Sequence, residues 1–228
     1  MIRIENVETY GWEAAIRGMR NPKNSWSKSD SRLWESTNRF EIGESDLALM
    51  QTLANAGTDH GKFLRMITVT ADITAPLYWW KEYDTYKVGT VANSCSTMHK
   101  IHAKEFTADD FSHEHLLSMA NNDAGDALFL NDANNIRVDG DDLLGLTINV
   151  LNYYRGRYIK TKDKRYWWQM IQLLPSSYNQ RRTVQFNYAV LRNMYHARKA
   201  HKLDEWRNFC EWVETLPYAK ELIVGGKE

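Results

Sequence analysis

The chain is nearly devoid of cysteine, with Cys95 and Cys210 the only two among 228 residues. Two thiols in a chain this long make no disulfide framework, so a reducing, cytoplasmic compartment is expected. An excess of charge is missing too, since 29 Lys+Arg face 29 Asp+Glu. Without a global field neither nucleic acid nor an anionic membrane surface is an expected partner, and any anion site has to be local. No apolar run reaches the roughly 18 residues needed to cross a bilayer, and Met1 to Glu5 shows no basic region followed by an apolar one. Neither a membrane span nor a secretory signal is therefore expected. Metal signatures are absent: His99-x-x-His102 and His113-x-His115 carry no acidic partner pattern, no HExxH occurs, and Asn121 to Asp142 contains no calcium loop. Repeats and low-complexity segments are also lacking.

What is present is enough apolar material, 43% in 26.7 kDa, to bury one full core, and residues 1–228 read as a single domain. Nine Trp and twelve Tyr are many for this length; such side chains line clefts and subunit contacts as well as cores. Alternation at Ile2, Ile4 and Val7 predicts a short strand, and the spacing from Gly11 to Met19 a helix. Asn21 to Ser31 reads as a polar surface loop. A helix is expected from Ser45-Asp46 to a stop at Gly57, then a strand over Met66 to Thr70 and a helix opened by Pro76. An exposed amphipathic helix is expected within 99–115, and loops around a short helix from Asn121 to Asp142. A long helix should run from Leu143 to Gly156 or Ile159, and a closing helix should carry Trp206, Phe209, Trp212, Val213 and Leu216. Arg155, Arg157, Lys160, Lys162, Lys164 and Arg165 form a local basic cluster, either a solvated helix end or a place of anion capture.

The stretch from Leu173 to Glu205 reads as a helix in which Asn187, Leu191, Met194 and Arg198, at i, i+4, i+7 and i+11, share one face. An Arg and an Asn aligned with Leu and Met cost several kcal/mol if buried alone, so they must meet either a neighbouring carboxylate or a ligand. Ser94, Cys95, Ser96 and Thr97 offer hydroxyls and amides that could cradle a phosphate. Cys95 could act as a nucleophile with His99 as its base if the segment is helical; the plainer reading is a small packing side chain.

Leu173-Leu174-Pro175, followed by Asn187, Asn193 and Arg198, resembles the C-terminal signature of the flavin-dependent thymidylate synthases. Ala75-Pro76 through Asn93-Ser94-Cys95-Ser96 resembles the family's central signature, with Asn93 and Ser96 forming its asparagine-x-x-serine end. The resemblance spans residues 50 to 215. It departs at Tyr83-Asp84-Thr85-Tyr86-Lys87, where the family has arginine-histidine-arginine, at Ile171, where it has an arginine, and near His60, with Leu64 or Arg65 falling where a histidine is usual. The resemblance implies an α/β (α+β) fold with a mixed sheet and long helices, and a homo-oligomer, a tetramer in the family. It implies FAD as cofactor and methylene-tetrahydrofolate as co-substrate in methylating deoxyuridylate at C5. Asn187 and Asn193 would hold flavin. Asn93, Ser94, Ser96 and Arg198 would bind the nucleotide, with Ser96 on phosphate and Arg198 on the uracil ring. The missing triplet leaves an alternative, a nucleotide-binding or structural protein of the same fold that has lost flavin catalysis.

Overall fold

The computed structural model describes residues 2–34, 39–118, 128–131 and 136–225. Strand β1 (Arg3–Tyr10) precedes helix α1 (Trp12–Arg20), a short hairpin of β2 (Arg32–Trp34) and β3 (Arg39–Glu41), and helix α2 (Glu44–Asn55). Next come β4 (Thr68–Pro76), α3 (Leu77–Tyr83), β5 (Val91–Ser94), and a second hairpin of β6 (Leu128–Asn131) and β7 (Ile136–Val138). The chain continues through α4 (Gly140–Thr161), α5 (Lys164–Leu173), β8 (Asn179–Asn187), α6 (Tyr188–Arg198) and α7 (Asp204–Glu214). A single π-helical turn, Lys220–Val224, follows. This is a mixed helix and sheet architecture. The described residues pack as two compact groups, one of Ile2–Ile73, Glu82–Asn93 and Arg182–Glu228, the other of Thr74–Lys81 and Ser94–Arg181.

The larger group holds most of a four-stranded sheet of order β1-β4-β8-β5. In β4 the alternation expected of a half-buried strand is regular, with Val69, Ala71 and Ile73 turned inward. Gly11 makes the turn from β1 into α1 possible: its φ is +89°, and a Cβ there would lie 2.0 Å from the Met66 carbonyl oxygen. Trp12, the first residue of α1, packs edge-on to Tyr188 with ring centroids 5.1 Å apart.

A buried ion pair fixes the polar loop after α1. Arg20 Nε donates to Asp46 Oδ1 at 2.6 Å, with the two side chains 4% and 0% exposed. The Ser29 and Ser31 hydroxyls and the Asp30 and Ser31 amides donate to Asp46 Oδ2. Asp30 in turn accepts from the amides of Ser45 and Asp46, capping α2 from a distance in sequence. Burial raises the Asp46 pKa, but the hydrogen bonds from Ser29, Ser31 and Arg20 together with the Arg20 charge more than offset it, leaving the carboxyl below its ordinary value. The Ser-rich segment is thus a surface loop tied down by a carboxylate that the sequence presents only as a helix start.

In the smaller group the core is Ile101, Phe106, Phe111, Leu151 and Met170. An amphipathic helix does not form within 99–115. Buried Ile101, Phe106 and Phe111 recur every five residues, a spacing that no helix gathers on one face. The segment is turns and one 3₁₀ turn at Ala108–Asp110, held by a Thr107/Asp110 capping box and by the Asn152 amide, which bonds both the N–H and the C=O of Phe106 at 2.9 and 2.8 Å. Between Asn121 and Asp142 the described residues form the β6–β7 hairpin rather than a short helix; the remainder of that expectation lies outside the described residues. α4 starts earlier than the apolar spacing indicates because Asp139 and Asp142 form a capping box, and it runs to Thr161, where Lys162 turns left-handed at φ 56°.

The long helix expected from Leu173 is interrupted. α5 ends at Leu173, Pro175 to Tyr178 close a turn through a 3.1 Å hydrogen bond, and the chain then enters β8. Val184 and Phe186 are buried while Thr183 and Gln185 are exposed, so the period here is two, as β-branched and aromatic residues favour. The helical period begins only at Tyr188.

Candidate functional site

Because β8 runs into α6 without a loop, Asn187 is not on the helix face with Leu191, Met194 and Arg198. It is the N-cap: its Oδ1 accepts from the Val190 N–H at 2.9 Å, satisfying one of the free donors of the first turn. A Cβ on Gly89 would come within 2.6 Å of Asn187 Nδ2, so the segment after α3 lies against this amide. Asn193 sits in the middle of α6 with its side chain exposed. Arg198 is the last helical residue, where a cation is favoured by the carbonyl end of the helix. Asn187 and Arg198 are therefore roughly 16 Å apart along the helix axis, at about 1.5 Å per residue, too far for one small group to touch both.

Around Arg198 the side chains form a compact network. Its Nη1 donates to Glu82 Oε2 at 2.8 Å and its Nε to the Tyr86 hydroxyl at 2.9 Å. The guanidinium carbon lies 4.8 Å from the Trp206 ring centroid and 5.6 Å from that of Tyr86. Glu82 Oε2 also accepts from Trp206 Nε1 at 2.9 Å and stands 3.5 Å from His201 Nε2. The polar residue on an apolar face thus meets a carboxylate. The pairing leaves the site without net positive charge, and Arg198 Nη2 makes no hydrogen bond among the described residues. The two N–H donors of Nη2, on a cation already compensated by Glu82, suit a polarised carbonyl better than a phosphate. Sequence reasoning missed Glu82, Tyr86 and Trp206 as a unit because Glu82 lies 116 residues from its partner and nothing local marks it.

Asn93 ends the larger group's part of β5 and is exposed. Ser94, Cys95 and Ser96 belong to the smaller group and are exposed too; Ser96 Oγ accepts from the His99 N–H at 2.9 Å. Cys95 anchors the segment through its backbone, its N–H donating to Arg181 O and its C=O accepting from Gln180 Nε2. The stretch is turn rather than helix, which removes the helical register that would carry His99 to the thiol. Cys210 is buried and its thiol is pushed up to about 12, chiefly by burial, so it is inert in the folded chain. Of the basic cluster, Arg155 bonds His102 O, Arg157 the Tyr166 hydroxyl and Arg165 the Asp163 carboxylate, so these three serve local structure. No group of His, Cys, Asp and Glu among the described residues is placed to hold a metal. No described helix is long and apolar enough to cross a membrane.

The segment 83–87 tests the fit of a flavin. Asp84 is ion-paired to Arg182, Nη1 to Oδ1 at 2.7 Å, and the buried Tyr83 hydroxyl is held strongly in its neutral form by desolvation. A diphosphate needs charge-assisted donors, and here a carboxylate neutralises the nearest arginine. Lys87 is then the one cation that this segment itself would offer a flavin diphosphate. The amides of Asn187 and Asn193 are of a kind that ring carbonyls and nitrogens accept from, but they carry no charge.

No family model matches the chain, and no curated protein matches it by sequence. Its backbone matches solved structures. A crystal structure of thymidylate synthase X from Helicobacter pylori with FAD and dUMP superimposes with a TM-score of 0.66 at 15% identity, covering 98% of this chain and 97% of that one. A second structure of the flavin-dependent thymidylate synthase from the same organism, complexed with FAD and dUMP, gives 0.66 at 16% identity, covering 97% of each chain. At this identity the likeness speaks for the backbone, and the chain has the fold of the flavin-dependent thymidylate synthases.

Proposed function

We propose that the protein is a divergent thymidylate synthase-like enzyme that binds deoxyuridylate and methylates it at C5, with methylene-tetrahydrofolate as one-carbon donor and reduced FAD as hydride source. The observation that carries this reading is the backbone likeness over 97% or more of both chains to structures containing FAD and dUMP. In this reading Arg198 directs its Nη2 donors at a uracil carbonyl, while Glu82 and Trp206 hold the guanidinium in place. Asn193 contributes an open amide to flavin, and Asn187 its Nδ2 while its Oδ1 caps the helix. Asn93, Ser94 and Ser96 bind the nucleotide, Ser96 through phosphate. The active assembly is a cytoplasmic homotetramer of one-domain chains.

A second reading, a nucleotide-binding or structural protein of the same fold without flavin catalysis, is favoured by one observation, the Asp84–Arg182 pair in place of a cation triplet. Losing two or three charge-assisted phosphate contacts removes several kcal/mol of affinity. The readings separate on titration of purified protein with FAD, with and without deoxyuridylate, followed by flavin fluorescence and by calorimetry. Micromolar quenching that deoxyuridylate strengthens supports the enzyme. Colourless protein with no quenching at high micromolar flavin favours the second reading.

A further inference from the structure

A cavity of about 330 Å³ lies beside α1, bounded by the helix, the polar loop after it and β3. Its apolar lining is Ile16, Trp26 and Phe40. Trp26 is 52% exposed, yet its ring is held, because the indole Nε1 donates to Asn21 Oδ1 at 2.8 Å. A large aromatic fixed half in water forgoes the burial its area would gain, and no residue given a role in the deoxyuridylate reading requires it there.

The charges around the cavity are already matched. Arg20 donates through Nε to Asp46, through Nη1 to the Ser25 carbonyl and through Nη2 to Ser45 Oγ. At the rim Arg17 faces Glu13 at 3.5 Å. An ionic ligand would give up hydration without meeting an unmatched partner, so the lining favours an uncharged one. Ser29 and Ser31 set its polarity. Both hydroxyl hydrogens go to Asp46 Oδ2, at 2.6 and 2.7 Å, so toward the cavity these oxygens can only accept. Ser31 Oγ already accepts from the Gly43 N–H, whereas Ser29 Oγ accepts nothing among the described residues. The Asp46 network fixes both serines before any ligand arrives, which lowers the ordering cost of binding.

We propose that this cavity is a binding site for an uncharged planar ring carrying an N–H or O–H donor, the chemistry of indoles, phenols and amino-substituted heterocycles, with the ring against Trp26 and Phe40 and its donor on Ser29 Oγ. The site uses none of the residues of the deoxyuridylate reading and does not depend on it. Calorimetric titration of the full chain with indole, with its isostere benzofuran, in which a ring oxygen replaces the N–H, and with benzoate tests it, and thermal melts check that each variant is folded. Saturable binding of indole is expected, about fivefold tighter than benzofuran, with benzoate weaker than either. Trp26→Ala, which gives up one exposed hydrogen bond, should weaken indole binding about tenfold. In Ser29→Ala the preference for indole over benzofuran should disappear, while the Ser31 hydroxyl and the Asp30 and Ser31 amides still hold Asp46 and keep the loop in place. Equal affinity of wild type for indole and benzofuran, a preference that survives Ser29→Ala, benzoate bound as tightly as indole, unchanged affinity in Trp26→Ala, or no saturable binding of indole up to its solubility limit would overturn the assignment. The first comparison needs no variant, so it decides even where a substitution unfolds the chain. Arg198→Ala should leave indole affinity unchanged and deoxyuridylate should not compete with indole, which separates failure of this site from failure of the function proposed above; competition would place indole in the nucleotide site and overturn the assignment too.

Discussion

Two arginine–carboxylate pairs in the larger group show what burial does to the same chemistry. Arg20–Asp46 is sealed, 4% and 0% exposed, and every oxygen of the carboxylate has donors. Arg198–Glu82 is 19% and 35% exposed, with a donor nitrogen left over. The first pair has no capacity for a ligand and a large cost if broken, because either charge alone would be stranded in a dry interior. The second has solvent to fall back on and unused donors on Nη2, so it can both hold structure and meet a substrate. Completeness of hydrogen bonding, more than the presence of an ion pair, separates a structural arginine from one available for binding.

Breaking the sealed pair should have the largest effect. Asp46→Ala strands Arg20 and frees the 29–31 loop, and a loss of about 3–5 kcal/mol is expected in denaturant melts. Cys210 gives a second readout, since its buried thiol should react with a disulfide reagent only on opening, and faster in this variant. Acid should erode the same pair. The folded-state pKa of Asp46 lies below its ordinary value, so the pair's stability is complete above the unfolded carboxyl's value of 3.8 and is lost as pH falls through the lower folded value. The acid limb of a stability–pH curve should be shallower in Asp46→Asn than in wild type.

The half-open pair sharpens the contrast. Under the proposed function, Arg198→Ala should weaken deoxyuridylate binding by about 1.5–3 kcal/mol, roughly 10- to 150-fold. It should lower stability by only about 1–2 kcal/mol, because Glu82 keeps its hydrogen bond from Trp206 and its access to water. A stability loss as large as that of Asp46→Ala, with no nucleotide bound by wild type, would make Arg198 a purely structural residue. The smallest change belongs to the exposed Arg17–Glu13 pair, where Glu13→Gln should alter stability by less than about 0.5 kcal/mol.

Much of the fold was legible in local patterns. α1, α2 and α7 are announced by their period and β4 by its alternation, because each buries one face of a regular element; α2 starts at Glu44, ahead of the Ser45-Asp46 start that the sequence suggests, with Gly43, and so no side chain of its own, at its cap. Where side chains from elsewhere hold the chain, local pattern misleads. The 99–115 segment looked helical because Asn152, which pins it, is far along the sequence. The strand β8 is hidden in a helical pattern because Asn187, a cap by chemistry, falls at helical spacing from Leu191. Of the candidate site, Arg198's need for a partner follows from its apolar neighbours, but the identity of that partner, Glu82, does not. Long-range pairing leaves no periodic trace in a single sequence.

Gly11 bears on how variation in this chain should be read. A carbonyl oxygen occupies the space where any side chain would begin, and the backbone there is left-handed. A library of variants selected only for staying folded would return one residue at position 11, as sharply as selection for turnover would at a reacting group. Intolerance to substitution at that position records the path of the main chain past Met66, and a search for the site by mutational depletion alone would be drawn to a residue that can touch no ligand.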